Sequence, residues 1–172
     1  MRNALLCPVC AIVAMLSFCA SAQAEVLEAS DSHFVLRHEA TDSRRPDELW
    51  ARLIEPAAWW HPEHTYSGDA ANLSLDPVAG GLWLERWAGG SIAHGVVILV
   101  QDGVLLRMNA PFGPLQETGA YTVWTITISA DGDGSRVVFD EVATGHPGAG
   151  LDELAAAVDF VKTEAIGRLV SK

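Results

Sequence analysis

The chain has 172 residues, 11 basic against 22 acidic, and a formal net charge of −11. Its few basic residues are spread rather than clustered, which argues against nucleic acid and anionic membrane surfaces as partners, since both need basic patches. The three cysteines, Cys7, Cys10 and Cys19, all lie near the N-terminus, so the rest of the chain has neither a disulfide nor thiol chemistry.

Arg2 is followed by an apolar run from Ala4 to Ala20 and then by Ala22-Gln23-Ala24, a small-x-small cleavage pattern. Met1 to Ala24 is therefore expected to be a secretory signal peptide, cleaved near Ala24, with the mature protein secreted or periplasmic. The run is short and contains Pro8, which disfavours a membrane anchor, and no stable membrane insertion is expected after cleavage. The bulky Phe18 before Cys19 disfavours lipid attachment. Residues 25–172 then carry 10 basic against 22 acidic residues, a net charge of −12, and read as a single domain. A chain of this length buries about 70% of its unfolded surface and needs no staples.

After a short polar lead, Ser32 to Ala40 alternates well enough for a strand. Pro46 opens a short helix to Ile54, with Asp47 and Glu48 in its first turn, and Pro56 to Trp60 reads as a second, brief helical turn. His61 to Tyr66 leads out as a loop. From Asn72 the period becomes two, and residues 72–75, 82–87, 92–101, 104–109, 121–129 and 136–144 are strand candidates. Hairpin turns at 79–81, 88–90, 102–103 and 131–134 make them an antiparallel meander, and Pro111-Phe112-Gly113-Pro114 heads the one longer link. Leu151 to Val170 closes the chain as a helix whose apolar positions recur at three and four, with Asp152, Glu153, Asp159, Lys162, Glu164 and Arg168 assigned to the wet side. Twenty helical residues span roughly 30 Å, enough to lie across a whole sheet.

The order is strand, two short helices, six antiparallel strands and a long helix. With the segment from Pro46 to Ile54, the Trp59-Trp60 pair and the Gly80-Gly81-Leu82-Trp83-Leu84-Glu85 turn and strand, it resembles the SRPBCC superfamily, also called START-like or helix-grip. The resemblance covers nearly the whole chain after Ala24. Within the superfamily the chain looks closest to the polyketide cyclase or dehydrase-like branch and to relatives of the activators of a heat-shock ATPase. It implies an α+β fold in which a seven-stranded antiparallel sheet wraps around the C-terminal helix, with a cavity between them that a small hydrophobic or amphipathic molecule occupies. An export signal fits poorly with a cytosolic ATPase partner.

Alternate side chains of a strand share a face, so Trp83, Glu85 and Trp87 lie together, as do Ile92, His94, Val96, Ile98 and Val100, and Tyr121, Val123, Thr125 and Thr127. If those faces point inward, Glu85, His94 and Tyr121 are polar tips in an apolar cavity, the usual makeup of a ligand site. The contrary register puts them outside, and sequence does not choose between the two. Glu85 and His94 lie on strands joined by a tight turn and are weak catalytic candidates as acid and base; a cross-strand pair is the plainer reading, because no third orienting group is visible. Trp59, Trp60 and Tyr66 are expected at the mouth, and two adjacent large rings on a short turn do not both point inward easily. His61 and His64 are not expected to hold metal, because Pro62 prevents a regular helix and the spacing matches no zinc signature; no cofactor is expected. Three functions remain: an exported binding protein for a small hydrophobic molecule, a cyclase or dehydratase-like enzyme using the same cavity, and an envelope interaction module with a closed pocket.

Overall fold

The computed structural model describes residues 23–171. The expected signal peptide therefore lies outside the described residues, save for Gln23 and Ala24. Ten main elements follow one another: β1 (Gln23–Ser30), β2 (His33–Asp42), α1 (Pro46–Leu53), β3 (Leu73–Leu75), β4 (Leu82–Trp87), β5 (Gly90–Gln101), β6 (Leu105–Asn109), β7 (Tyr121–Asp131), β8 (Gly134–Thr144) and α2 (Leu151–Val170). Short 3-10 turns stand at Pro56–Ala58, Pro62–His64, Ala70–Asn72 and Gly113–Gln116.

The strands form one antiparallel sheet in the order β1-β2-β8-β7-β6-β5-β4-β3, wrapped around α2. This is the expected helix-grip architecture with one strand more. The addition, β1, occupies what the sequence presents as a polar lead. It is an edge strand exposed from Ala24 to Ser30, so it carries no apolar alternation, and its two neighbouring apolar residues, Val26 and Leu27, fall at a register shift.

Both ends of α2 are tied down by polar groups from elsewhere. Asp31, in the β1–β2 turn, accepts from the N–H of Leu151 through its carbonyl at 2.9 Å and from Gly150 through its carboxylate at 3.2 Å. At the other end Arg52 donates to the carbonyls of Leu169 at 2.8 Å and Arg168 at 3.1 Å, and Arg44 donates to Leu169 at 2.9 Å. Two guanidinium groups thus serve carbonyls the helix leaves unpaired and meet the negative end of its dipole. α1 starts on Pro46, and the Arg45 N–H donates back to Glu48 at 3.0 Å, which fixes the turn into it.

The core has two parts. The larger joins Leu49, Trp50 and Leu53 of α1, Trp59 and Trp60, the inner face of β4 to β8, and Ala165, Ile166 and Leu169 of α2. The smaller joins Phe34, Leu36, Leu115, Ala143, Leu151 and Ala155 around the start of α2. Beside the middle of α2 Leu154 and Val158 pack against the smaller part and Val161 against the larger.

Two irregularities in β5 decide which faces point inward. Trp83 pairs with Gly95 and Leu84 with Ala93, so His94 is an extra residue in the ladder; a second shift falls between Val97 and Leu99. Each bulge reverses the alternation. His94 and Val97 are buried, whereas Val96, Ile98 and Leu99 are exposed, against the single continuous face expected from Ile92 to Val100. Gly95 permits the bend: a Cβ there would lie 2.8 Å from the Cβ of Ala110.

On β7 the inward residues are Thr122, Trp124, Ile126 and Ile128, and Tyr121 stands on the outer face, more than half exposed. The expectation of an inward Tyr121 set is corrected by one residue. The chain enters β7 with Ala120 buried and Tyr121 paired to Thr144, and that register carries the heavier Trp124 into the core.

The polar face assigned to α2 is also corrected. Lys162 is buried, and Asp159 and Glu164 are only partly exposed, each turned to a partner on another element.

Candidate functional site

A cavity of about 420 Å³ opens between the 61–66 loop, the 112–117 link and the middle of α2. Leu154, Ala157, Val158 and Val161 of the helix form one wall, and Trp60, Phe112 and Pro114 face them. The polar lining comes from His64, Thr65, Tyr66, His94, Glu117 and Lys162. An apolar body with a few convergent polar groups is the composition of small-molecule sites.

Phe112 is the hub. Its ring centroid lies 5.2 Å from those of Trp60 and His94, 5.3 Å from Trp83 and 5.7 Å from Trp124, with the imidazole of His94 nearly parallel to it. The Lys162 ammonium stands 4.7 Å from the same centroid and 3.2 Å from that of Trp124, a cation held against two π faces.

Glu85 and His94 meet as a buried pair, His94 Nε2 lying 2.8 Å from Glu85 Oε2. The β4–β5 register sets Glu85 opposite Ile92, and the bulge at His94 brings the imidazole back onto the carboxylate. The third orienting group that the sequence does not reveal is backbone: Glu85 also accepts from the N–H of Ser67 at 2.6 Å and of Tyr66 at 3.1 Å. Burial works to raise the Glu85 pKa, but the hydrogen bonds from Ser67, Tyr66 and His94 together outweigh it and hold it below the usual carboxylate value. Burial lowers the His94 pKa against the pull of Glu85. The result is a carboxylate beside a neutral imidazole. Since a carboxylate only accepts, Nε2 carries the proton and Nδ1 is left with a lone pair; Nδ1 is buried and has no hydrogen-bond partner.

Lys162 is the second buried charge. Its ammonium is 3.0 Å from Glu141 Oε2, an ion-pair distance, although the approach is not aligned for a hydrogen bond and both groups lack partners of that kind. Burial pushes the Lys162 pKa down, with Glu141 opposing. At the rim His64 Nε2 lies 2.6 Å from Glu164 and ties the loop to α2. Further along the helix His38 Nε2 lies 2.8 Å from Asp159, and burial holds the His38 pKa below its ordinary value. His61 Nδ1 accepts from the N–H of Glu63 at 3.2 Å.

Of the residues expected at the site, Trp60, Tyr66 and His94 line the cavity, and Glu85 stands behind His94. Trp59 and Trp60 are both buried, although two adjacent rings on a short turn do not both point inward easily, and it is Trp60 that borders the cavity: they pack edge to face at 5.7 Å, and their indole N–H groups donate to the carbonyls of Leu53 and His64. Trp59 and Trp83 support the aromatic cluster from beneath, while Trp87 packs over Gly90 at the β4–β5 turn and Tyr121 lies outside. The sequence reading did not single out Lys162, Glu141 or Phe112. Only Phe112 carried a signal, its place between two prolines in the longest link.

No protein-family model matches the chain, and no curated protein matches it in sequence. Its fold is similar to solved structures. A Rhodobacter sphaeroides protein aligns over 86% of this chain and 96% of its own, at 20% identity and a TM-score of 0.55. The Mll3558 protein of Rhizobium loti aligns over 80% and 95%, at 19% identity and a TM-score of 0.56. The Aha1 dimer of Colwellia psychrerythraea aligns over 79% and 92%, at 14% identity and a TM-score of 0.57. The fold is that of the broad helix-grip class, a curved antiparallel sheet around a long C-terminal helix. At these identities the likeness concerns the fold alone.

Proposed function

We propose that the protein binds a small hydrophobic or amphipathic molecule in the cavity between the sheet and α2, and that it does so as an exported protein. The observation that carries this is the cavity itself, lined by Leu154, Val158, Val161, Trp60 and Phe112, with its polar residues turned to partners of the chain, at the rim His64 to Glu164 and inside Lys162 to Glu141. Apolar burial at roughly 25 cal/mol per Å² would drive the association. No helix among the described residues is long and apolar enough to cross a membrane. The Ala22-Gln23-Ala24 pattern is what supports export. An interaction module with a closed pocket is the reading the cavity favours least.

Native mass spectrometry of the mature protein, purified without refolding from its own compartment, tests binding. The expected result is an extra mass that is lost on denaturation. A bare protein mass, still bare after incubation with a mixed lipid and aromatic metabolite extract, would remove this reading. An intact N-terminal mass that includes residues 1–24 would remove the export part.

A second reading, acid–base catalysis of the polyketide cyclase or dehydratase kind, is favoured by the Glu85–His94 pair. A carboxylate held by two backbone amides fixes the imidazole tautomer and leaves Nδ1 a base beside the cavity. Turnover of the bound molecule that disappears in His94→Gln, with binding retained, would establish it. Release of the same molecule unchanged would leave the protein a carrier.

A further inference from the structure

Among the described residues, eight buried side-chain nitrogen and oxygen atoms have no hydrogen-bond partner, and six of them belong to one place: Trp83 Nε1, Trp124 Nε1, His94 Nδ1, Lys162 Nζ and both carboxylate oxygens of Glu141. Trp83, Trp124, His94 and Lys162 all pack around the ring of Phe112, and Glu141 is the ion partner of Lys162. Folded proteins seldom leave buried polar groups unpaired; three of these six, Lys162 Nζ and the indole N–H groups of Trp83 and Trp124, are donors, and together they mark a place that an acceptor from outside the chain completes. Phe112 itself is only partly buried and stands on the Pro111-to-Pro114 link, where Gly113 has a φ of +56°. It is the lining residue that an occupant can displace to reach those atoms.

We infer that the occupant is an apolar molecule ending in an uncharged carbonyl oxygen, and that this oxygen reaches the Lys162 ammonium by displacing the Phe112 ring. The inference rests on the reading of the cavity as a binding site. An ammonium has three donors and no acceptor, and Glu141 balances its charge at 3.0 Å without taking an aligned hydrogen bond from it. Its N–H groups, with the indole N–H groups of Trp83 and Trp124 nearby, call for an acceptor. Charge selects which acceptor. Glu141 already balances Lys162, Glu85 is an uncompensated carboxylate beside a neutral His94, and Glu117 and Glu164 stand at the rim. A carboxylate tail would add negative charge to this set, and an amine would face the ammonium directly. A ketone, ester or quinone oxygen meets neither penalty, and its carbon skeleton matches the walls.

The test uses 2-decanone labelled with ¹³C at the carbonyl, its oxygen-free isostere 2-methyl-1-decene, decanoate and decylamine, titrated into the mature protein while tryptophan fluorescence is followed. The ketone is expected to bind about tenfold more tightly than the alkene, the worth of one charge-assisted hydrogen bond. Its carbonyl carbon should move downfield on binding. In Lys162→Met/Glu141→Gln, which removes both charges together so that neither is left unpaired, the two probes should bind equally and the downfield shift should be lost. Phe112→Ala should tighten ketone binding, since no ring has to move. Equal affinities of ketone and alkene in the unaltered protein would overturn the inference and mean that ordered water alone serves the orphan atoms. Tightest binding by decanoate or decylamine would overturn the choice of oxygen, and a ketone preference that survives in the double variant would overturn the role of Lys162. Unchanged ketone affinity in Phe112→Ala would overturn the displacement of the ring. If no probe binds, alkene included, the reading of the cavity as a binding site falls first.

Discussion

Glu85 and Glu141 are both fully buried carboxylates on the inner face of the same sheet, and they are held in opposite ways. Glu85 accepts from two backbone N–H groups and from His94, so its charge is spread over hydrogen bonds that the fold supplies in any case. Glu141 has one ion partner, Lys162, and no aligned hydrogen bond. The first arrangement is a rigid fixture whose effect is to set the His94 tautomer. The second is a charge pair whose hydrogen-bonding capacity is unspent, and that is why it borders the place where a ligand is expected. Burial alone does not mark function; how completely a buried charge is satisfied distinguishes support from site.

The contrast is sharpest in the variants that remove one partner. Lys162→Met leaves Glu141 buried without a countercharge and is expected to lose about 3–5 kcal/mol in urea denaturation, most of it regained when Glu141→Gln is added. A loss below about 1 kcal/mol in the single variant would mean that water reaches Glu141 and the pair is not desolvated. Glu85→Ala strands the amides of Tyr66 and Ser67 and frees His94, at roughly 2–4 kcal/mol. Glu85→Gln keeps an acceptor and should cost less. It should also let the proton move between Nδ1 and Nε2, which ¹⁵N chemical shifts of the imidazole would report; an unchanged tautomer would mean that Glu85 does not set it.

Acid distinguishes the two arrangements more gently. The folded-state pKa values of His38 and His94 lie below their unfolded value of about 6.5, so the unfolded chain binds more protons as pH falls. Stability is complete above that pH and is lost as pH falls through and below it; Glu85, also lowered, adds a further loss below about 4.5. Lys162 acts with the same sign at higher pH: burial holds its folded-state pKa below the unfolded value of about 10.5, so stability rises further as pH approaches that value. Thermal denaturation from pH 7.5 to 5 should show a falling midpoint, with a shallower slope in His38→Gln. A flat profile would mean that neither imidazole is held neutral. The smallest effect belongs to the rim. His64→Ala should cost less than about 1 kcal/mol, because the pair with Glu164 is partly exposed, yet it should speed ligand exchange at the mouth as measured by stopped-flow fluorescence. An unchanged exchange rate would mean that this contact does not restrain the loop.

Much of this architecture is written in local pattern. The period of two from residue 72 onward, the glycine-rich hairpin turns and the three-and-four spacing of Leu151 to Leu169 each act over a few residues, and they determine the antiparallel meander and the helix across it. The proximity of Glu85 and His94 follows from the same kind of evidence, two strands and one tight turn. What eluded the sequence depended on distant residues. The edge strand β1 exists because β2 offers it a partner, since its own residues from Ala24 to Ser30 are exposed and show no apolar alternation. The bulges at His94 and after Val97 reverse a strand's faces without changing its composition, and the one-residue difference at Tyr121 is a matter of register against β8. Lys162 occupies a position that helical spacing assigns to solvent; it is inside because Glu141, 21 residues earlier on β8, and the faces of Trp124 and Phe112 receive it there. Sequence by itself determined the elements from β2 onward and their order, because those are set by short-range propensity and hydrophobic period. Tertiary structure alone decided which charges are buried, since desolvating a charge is tolerated only where another part of the chain brings its partner to within a few ångströms.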